Sequence, residues 1–181
     1  MKKFFTFVWE LVKIALIAAV IVIPIRYFLF QPFFVRGESM HPNFANGDYL
    51  IVDEITYRFR GPQRGEVIVF KYPDNPSQRF IKRIVGLPGE TVEIKDGKII
   101  IHKEGEVQVL NESNYLFSGL LTTGNISIML AENEYFVLGD NRDFSFDSRK
   151  FGSIQKDKII GRVIFRAWPF VAMAKIEAPE Y

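Results

Sequence analysis

A mostly β fold of antiparallel strands behind one amino-terminal helix is what this sequence predicts, and three observations carry the prediction. A long apolar run fills the chain up to about Phe30. From Phe33 onward, short runs rich in Val, Ile, Phe and Tyr alternate with turn signals. Lys95-Asp96-Gly97-Lys98 adds a hairpin signature, because Asp-Gly accommodates the positive φ values of a two-residue turn. With 181 residues, 48% of them hydrophobic and 18 of them Phe, the chain can build one real core and is not disordered.

The amino-terminal element comes first. Lys2 and Lys3 precede Phe4–Trp9, a nearly unbroken apolar run follows from Ile14 to Ile25, and Tyr27–Phe30 extends it past Arg26. From Val12 to Phe30 the segment is long enough to span, at about 1.5 Å per residue against about 30 Å of hydrocarbon. Trp9 and Tyr27 fall where interfacial aromatics sit, and Arg26 can snorkel. A cleavable export signal would end in small residues. Here Phe28-Leu29-Phe30-Gln31-Pro32-Phe33-Phe34 follows instead, so the expectation is an uncleaved transmembrane anchor. Residues 1–31 are read as a cytoplasmic start plus anchor, and 32–181 as one extracytoplasmic domain. Lys2, Lys3 and Lys13 favour an inside amino terminus, while Arg26 and Arg36 weaken the asymmetry.

The strands expected are Tyr49–Asp53, Glu66–Tyr72, Phe80–Val85, Thr91–Lys95, Lys98–His102, Glu134–Leu138 and Gly161–Arg166. Turns at Asn46-Gly47-Asp48, Gly61-Pro62, Pro73-Asp74-Asn75-Pro76 and Leu87-Pro88-Gly89 separate them. Residues 104–131 show the least pattern and read as a loop-rich insertion. Outside the anchor, only Gln155–Ile159 looks helical.

Composition removes several function classes. With 23 Lys and Arg against 21 Asp and Glu, and no long basic run, nucleic acid is not expected as a partner. The absence of cysteine excludes disulfides, thiolate catalysis and sulfur-ligated zinc. Two histidines, His41 and His102, make a His-rich metal site an unpromising reading, so neither metal nor cofactor is expected.

Three islands carry chemistry. In Gly37-Glu38-Ser39-Met40-His41-Pro42, Gly and Pro put a serine on a tight turn, where a nucleophile can be presented. His41 is too close in sequence to serve Ser39 as base. In the second, Arg79–Glu90, strand alternation sets Phe80, Lys82 and Ile84 on one face and Ile81, Arg83 and Val85 on the other. An ammonium between two large apolar side chains loses hydration, its pKa falls, and the neutral amine can take a proton from a hydroxyl. In the third, Gly139-Asp140-Asn141-Arg142-Asp143-Phe144-Ser145-Phe146-Asp147-Ser148-Arg149, Asp147 and Arg149 read as a structural salt bridge. Ser145, between two Phe residues, suits the orientation of a buried amine.

Taken in order, the islands resemble the type I signal peptidases, Ser-Lys proteases that remove export signals. The resemblance covers nearly the whole chain: the anchor, Gly-x-Ser-Met-x-Pro, Arg64-Gly65-Glu66-Val67-Ile68-Val69-Phe70, Lys-Arg-x-x-Gly-x-Pro-Gly and Gly-Asp-Asn-Arg-Asp. It implies coiled antiparallel sheets in one catalytic domain, Ser39 as nucleophile and Lys82 as general base. It further implies that Ser145 orients Lys82, that Asp147 and Arg149 hold the framework, and that the Ser39 N–H binds the oxyanion. Met40, Phe44, Phe80 and Ile81 would line pockets for small side chains in an Ala-x-Ala-like site, with the strand around Glu66–Phe70 forming part of the groove. Exported preproteins and membrane lipid are the implied partners, at the cell membrane with the catalytic domain outside. Two positions depart from the family pattern. Phe144 replaces an Asn of many members, and Gly37 replaces a Ser that in some donates to the oxyanion, so serine is expected to be tolerated at 37. Two rivals are a self-cleaving repressor protease, for which no DNA-binding helical segment is read, and an anchored β domain that binds without catalysis.

Overall fold

The computed structural model describes residues 2–28, 30–117 and 119–181, with the side chains of 2, 21–28 and 30 outside that description. A long helix α1 (Lys2–Phe28) leads into twelve strands. In chain order these are β1 (Phe30–Phe34), β2 (Tyr49–Asp53), β3 (Val67–Tyr72), β4 (Asn75–Gly86), β5 (Thr91–Lys95) and β6 (Lys98–Lys103). They continue as β7 (Glu106–Val109), β8 (Ile126–Met129), β9 (Glu134–Leu138), β10 (Ile154–Gln155), β11 (Ile159–Trp168) and β12 (Ala174–Lys175). A short helix, α2 (Ser148–Phe151), starts at the end of the third island and takes its N-cap from Asp147. The 155–159 segment expected to be helical holds one 3-10 turn, Lys156–Lys158.

All pairings are antiparallel. The larger sheet runs β1-β2-β11-β3-β4-β9-β10, with β12 also on β11, and the smaller runs β7-β6-β5-β8. Alternation decides the packing, as the sequence pattern anticipates. Along β4, Ile81 joins a core cluster with Met40, Phe44, Leu50 and Val52, whereas Ile84 joins Ile68, Phe70 and Val137 on the other face. Val85 enters a third cluster with Val92, Ile94, Ile99 and Phe136, and this cluster seats the small sheet on β4 and β9. Asp96 and Gly97 both have positive φ, so the expected two-residue turn closes the β5–β6 hairpin.

Within the loop-rich residues 104–131, two four-residue strands, β7 and β8, form both edges of the small sheet. Their side chains are largely exposed, which blurs the apolar alternation that marks a half-buried strand. The Pro73–Pro76 stretch is shorter as a turn than expected, since β4 already pairs with β3 at Asn75. As for the anchor, among the described residues no helix is long and apolar enough to cross a membrane. The apolar run read from the sequence continues through residues 21–30, whose side chains lie outside the described residues.

Candidate active site

Ser39 stands on the irregular turn between β1 and β2. The turn is fastened locally by His41 N–H to Glu38 O (3.1 Å) and Phe44 N–H to Met40 O (2.9 Å). Just before it, Gly37 has φ +88° and donates its N–H to Asn46 Oδ1 at 3.0 Å. A left-handed residue there lets the chain reverse out of β1 without a Cβ penalty. Met40 and Phe44 fold inward as buried core, and Ser39 is left at the surface of that core. His41 is exposed and points to no role beside Ser39.

Lys82 comes from β4, 3% exposed, and its Nζ donates to Ser39 Oγ at 2.7 Å and to Ile81 O at 2.8 Å. The Phe80 ring lies 5.4 Å from the Nζ. No carboxylate hydrogen-bonds the amine among the described residues. Burial therefore dominates and brings the Lys82 pKa from 10.5 down to about 8, although the more distant Asp147 and Asp140 charges work to raise it. At neutral pH roughly one amine in ten is then unprotonated, hundreds of times more than for a free lysine.

The third island forms a rigid loop around this pair. Asn141 donates its backbone N–H to Ser39 O (3.1 Å) and its Nδ2 to Glu38 O (3.0 Å), tying the loop to the serine's turn. Asp147 is fully buried and takes a bidentate pair from Arg149, both bonds at 2.8 Å, together with the Gly139 N–H at 3.0 Å. Burial alone would raise the Asp147 pKa; the Arg149 and Gly139 bonds and the Arg149 charge outweigh it and hold the carboxyl low. The Ser145 hydroxyl adds to that lowering from a position that does not satisfy hydrogen-bond geometry, and its buried Oγ has no partner among the described residues. It does not bond Lys82, whose second acceptor is the Ile81 carbonyl. Gly139 explains how closely these parts meet: a Cβ there would overlap both Ser145 Oγ and Ser39 O.

A groove of about 750 Å³ opens over Ser39 and Lys82. Pro32, Phe33 and Phe34 of β1 form one side, Ser77 to Lys82 of β4 another, and Phe144 and Phe146 part of the rim. Of the pocket residues expected from sequence, Phe80 and Ile81 line the groove, while Met40 and Phe44 pack in the core cluster with Ile81. None of Glu66–Phe70 is among the residues that line this groove, and β3 is paired on both edges, to β11 and to β4. It lies inside the sheet and has no edge to offer.

Sequence reasoning missed the framework partners. Arg83, next to Lys82, grips Asp140 through two bonds of 2.8 and 2.6 Å, and Asn43 adds a bond of 2.8 Å to Asp140. Arg142 is buried and takes Glu112 (2.8 and 2.5 Å), Thr122 and Tyr115, so these three residues brace the third island. The usable signal was the charge excess of the island, which needed counter-ions somewhere in the fold.

Comparison with known proteins defines the class: the chain is a serine endopeptidase. The family described as "Signal peptidase, peptidase S26" matches residues 8–168, and the chain belongs to it. It is 34% identical over 165 residues to a "Probable signal peptidase I-2" of Synechocystis, covering 88% of this chain and 73% of that one. It is equally 34% identical over 166 residues to "Signal peptidase IB" of Staphylococcus aureus, covering 85% and 86%. The crystal structure of a signal peptidase I from Enterococcus faecalis is 34% identical and covers 57% of this chain and 97% of that one, with a TM-score of 0.47.

Proposed function

We propose that the protein removes amino-terminal signal peptides from exported preproteins after a small-x-small site, with Ser39 as nucleophile and Lys82 as general base. The observation that carries this is the 2.7 Å approach of a buried amine, its pKa near 8, to the Ser39 hydroxyl. Neutral Lys82 takes the hydroxyl proton as Oγ attacks the carbonyl of the residue before the cut. The Ser39 N–H, which has no acceptor among the described residues, donates to the developing oxyanion in this reading. Lys82 then protonates the departing amine and activates the water that releases the acyl group. Ser145 supports the amine in this reading: its hydroxyl is buried beside Gly139 and has no hydrogen-bond partner among the described residues. Asp147 and Arg149 fix the loop. In this reading the groove wall at Ile81, backed by the core residues Met40 and Phe44, receives the small side chains.

The test uses the full chain in detergent with a preprotein ending in Ala-x-Ala, and locates the cut by mass spectrometry. Ser39→Ala and Lys82→Ala each abolish cleavage, the double variant is no worse, and Phe in place of the residue before the cut blocks processing. Normal turnover by Lys82→Ala would sink the mechanism.

The same reading anchors the protein through residues 12–30 with the catalytic domain outside the cell membrane. Supporting it, the α1 side chains Phe4, Phe5, Phe7, Trp9, Ile14 and Val20 are all more than half exposed. A further apolar row crosses the large sheet: Phe34 stands opposite Tyr49, Tyr49 opposite Trp168, and Phe170 and the fully open Val171 follow. Such a row suits a lipid surface. A reporter fused after Tyr181 is expected to be active only outside the cytoplasm; activity inside reverses the topology.

A further inference from the structure

We infer that Phe144 and Phe146 form a subsite that selects a large apolar side chain at the second substrate position before the cut; this rests on the cleavage reading above. From Asn75 to Lys82, β4 is paired with β3 on one side and with no described strand on the other, because its pairing with β9 begins at Arg83. An extended peptide added to that free edge continues the sheet. Its side chains alternate between the two faces that β4 already defines.

On one face Ile81 meets the close-packed cluster of Met40 and Phe44, which admits small side chains. The first and third residues before the cut point there, so the residue between them points the other way. The other face carries Phe80, with the Phe146 ring centroid 6.4 Å away. Phe146 is anchored, its ring also meeting Tyr72 at 5.8 Å and Phe151 at 5.5 Å, yet 45% of it remains exposed. Phe144 is 79% exposed and has no ring partner among the described residues; only its N–H is held, by Asn141 Oδ1 at 3.3 Å. Both rings line the groove that contains Ser39 and Lys82. A single exposed Phe needs no explanation, but two at the rim of one catalytic groove present an apolar surface that a substrate side chain can cover.

The experiment measures kcat/KM for peptides with Ala at the first and third positions and Leu, Phe, Ser or Asp at the second. Wild type is expected to favour Leu and Phe over Ser by roughly 10- to 100-fold, mostly through KM. Phe144→Ser and Phe146→Ser each shrink that ratio, and Phe144→Leu restores most of it. All variants keep the preference for Ala over Phe at the first position, which a general loss of structure would not spare. Indifference of wild type to the second position, or a ratio unmoved in both Ser variants, overturns the subsite and leaves the cleavage reading intact. Failure of wild type to cut any of the peptides overturns the cleavage reading, and the subsite with it.

Discussion

Lys82 and Arg83 are neighbours on β4, point to opposite faces, and are equally buried at 3% and 4% exposure. Their chemistry diverges all the same. Burial lowers both, but on the Arg83 face Asp140 supplies two hydrogen bonds and a charge, and the guanidinium ends above its ordinary value. On the Lys82 face the nearest acceptors are a hydroxyl and a carbonyl, burial wins, and the amine falls to about 8. Depth alone therefore does not make a general base. What suits Lys82 to the proposed role is depth without a bonded carboxylate, while Asp140 and Asp147 of the loop are taken by Arg83 and Arg149.

The largest test of this contrast is Lys82→Met, which keeps length and removes the charge. Cleavage is expected to fall by at least about 1000-fold. Stability should move the other way. Between about pH 8 and 10.5 the unfolded chain holds a proton that folded Lys82 has released, so wild-type stability rises with pH across that window. Below about 8 the full cost of a buried ammonium stands. Lys82→Met should thus be more stable than wild type at pH 7, by at most about 3 kcal/mol, and the gain should vanish above pH 10.5. Denaturation midpoints at pH 7 and 10.5 check it; a variant less stable at pH 7 breaks the contrast.

Arg83→Met inverts the argument. It strands Asp140 in the interior with Asn43 as its remaining side-chain partner, a loss expected to cost about 3 to 5 kcal/mol. The Lys82 face is untouched by direct contact, so the activity of whatever folded protein remains should still rise with pH below the free-lysine range, the limb moving only as far as the Asp140 charge reaches Lys82. A stability loss under about 1 kcal/mol would mean that Asp140 does not need its guanidinium.

The sequence made one side of this contrast visible. Alternation alone put Lys82 between Phe80 and Ile84 and predicted a depressed pKa, because strand period is a local property. The strands Tyr49–Asp53, Thr91–Lys95 and Glu134–Leu138 were readable to the residue for the same reason. The partners were not: Arg83 and Asp140 are 57 residues apart, and only the fold brings them together. Glu112 and Thr122, which close around Arg142, sat in a stretch whose polar residues resembled a solvated loop. Local pattern could say that the island's charges needed partners but could not choose them.

Gly37 offers the smallest effect and sharpens what surrounds Ser39. Its open surroundings, with nothing within 4 Å of an added Cβ, fit the expectation that serine is tolerated there. Its backbone does not, since φ +88° lies in the left-handed region. Strain and not space is then the obstacle, and it is the same for any L residue. Gly37→Ala and Gly37→Ser should each lose about 1 to 2 kcal/mol of stability, and by equal amounts. Single-turnover rates separate the remaining possibility. If the turn keeps its conformation, a hydroxyl at 37 is carried on a backbone shaped for glycine and adds no oxyanion donor, so the two variants cleave at the same rate. A serine variant faster than the alanine one by roughly 100-fold would show that the turn relaxes and that position 37 can supply the second donor beside the Ser39 N–H. Equal rates would leave that second donor to a backbone amide or a bound water.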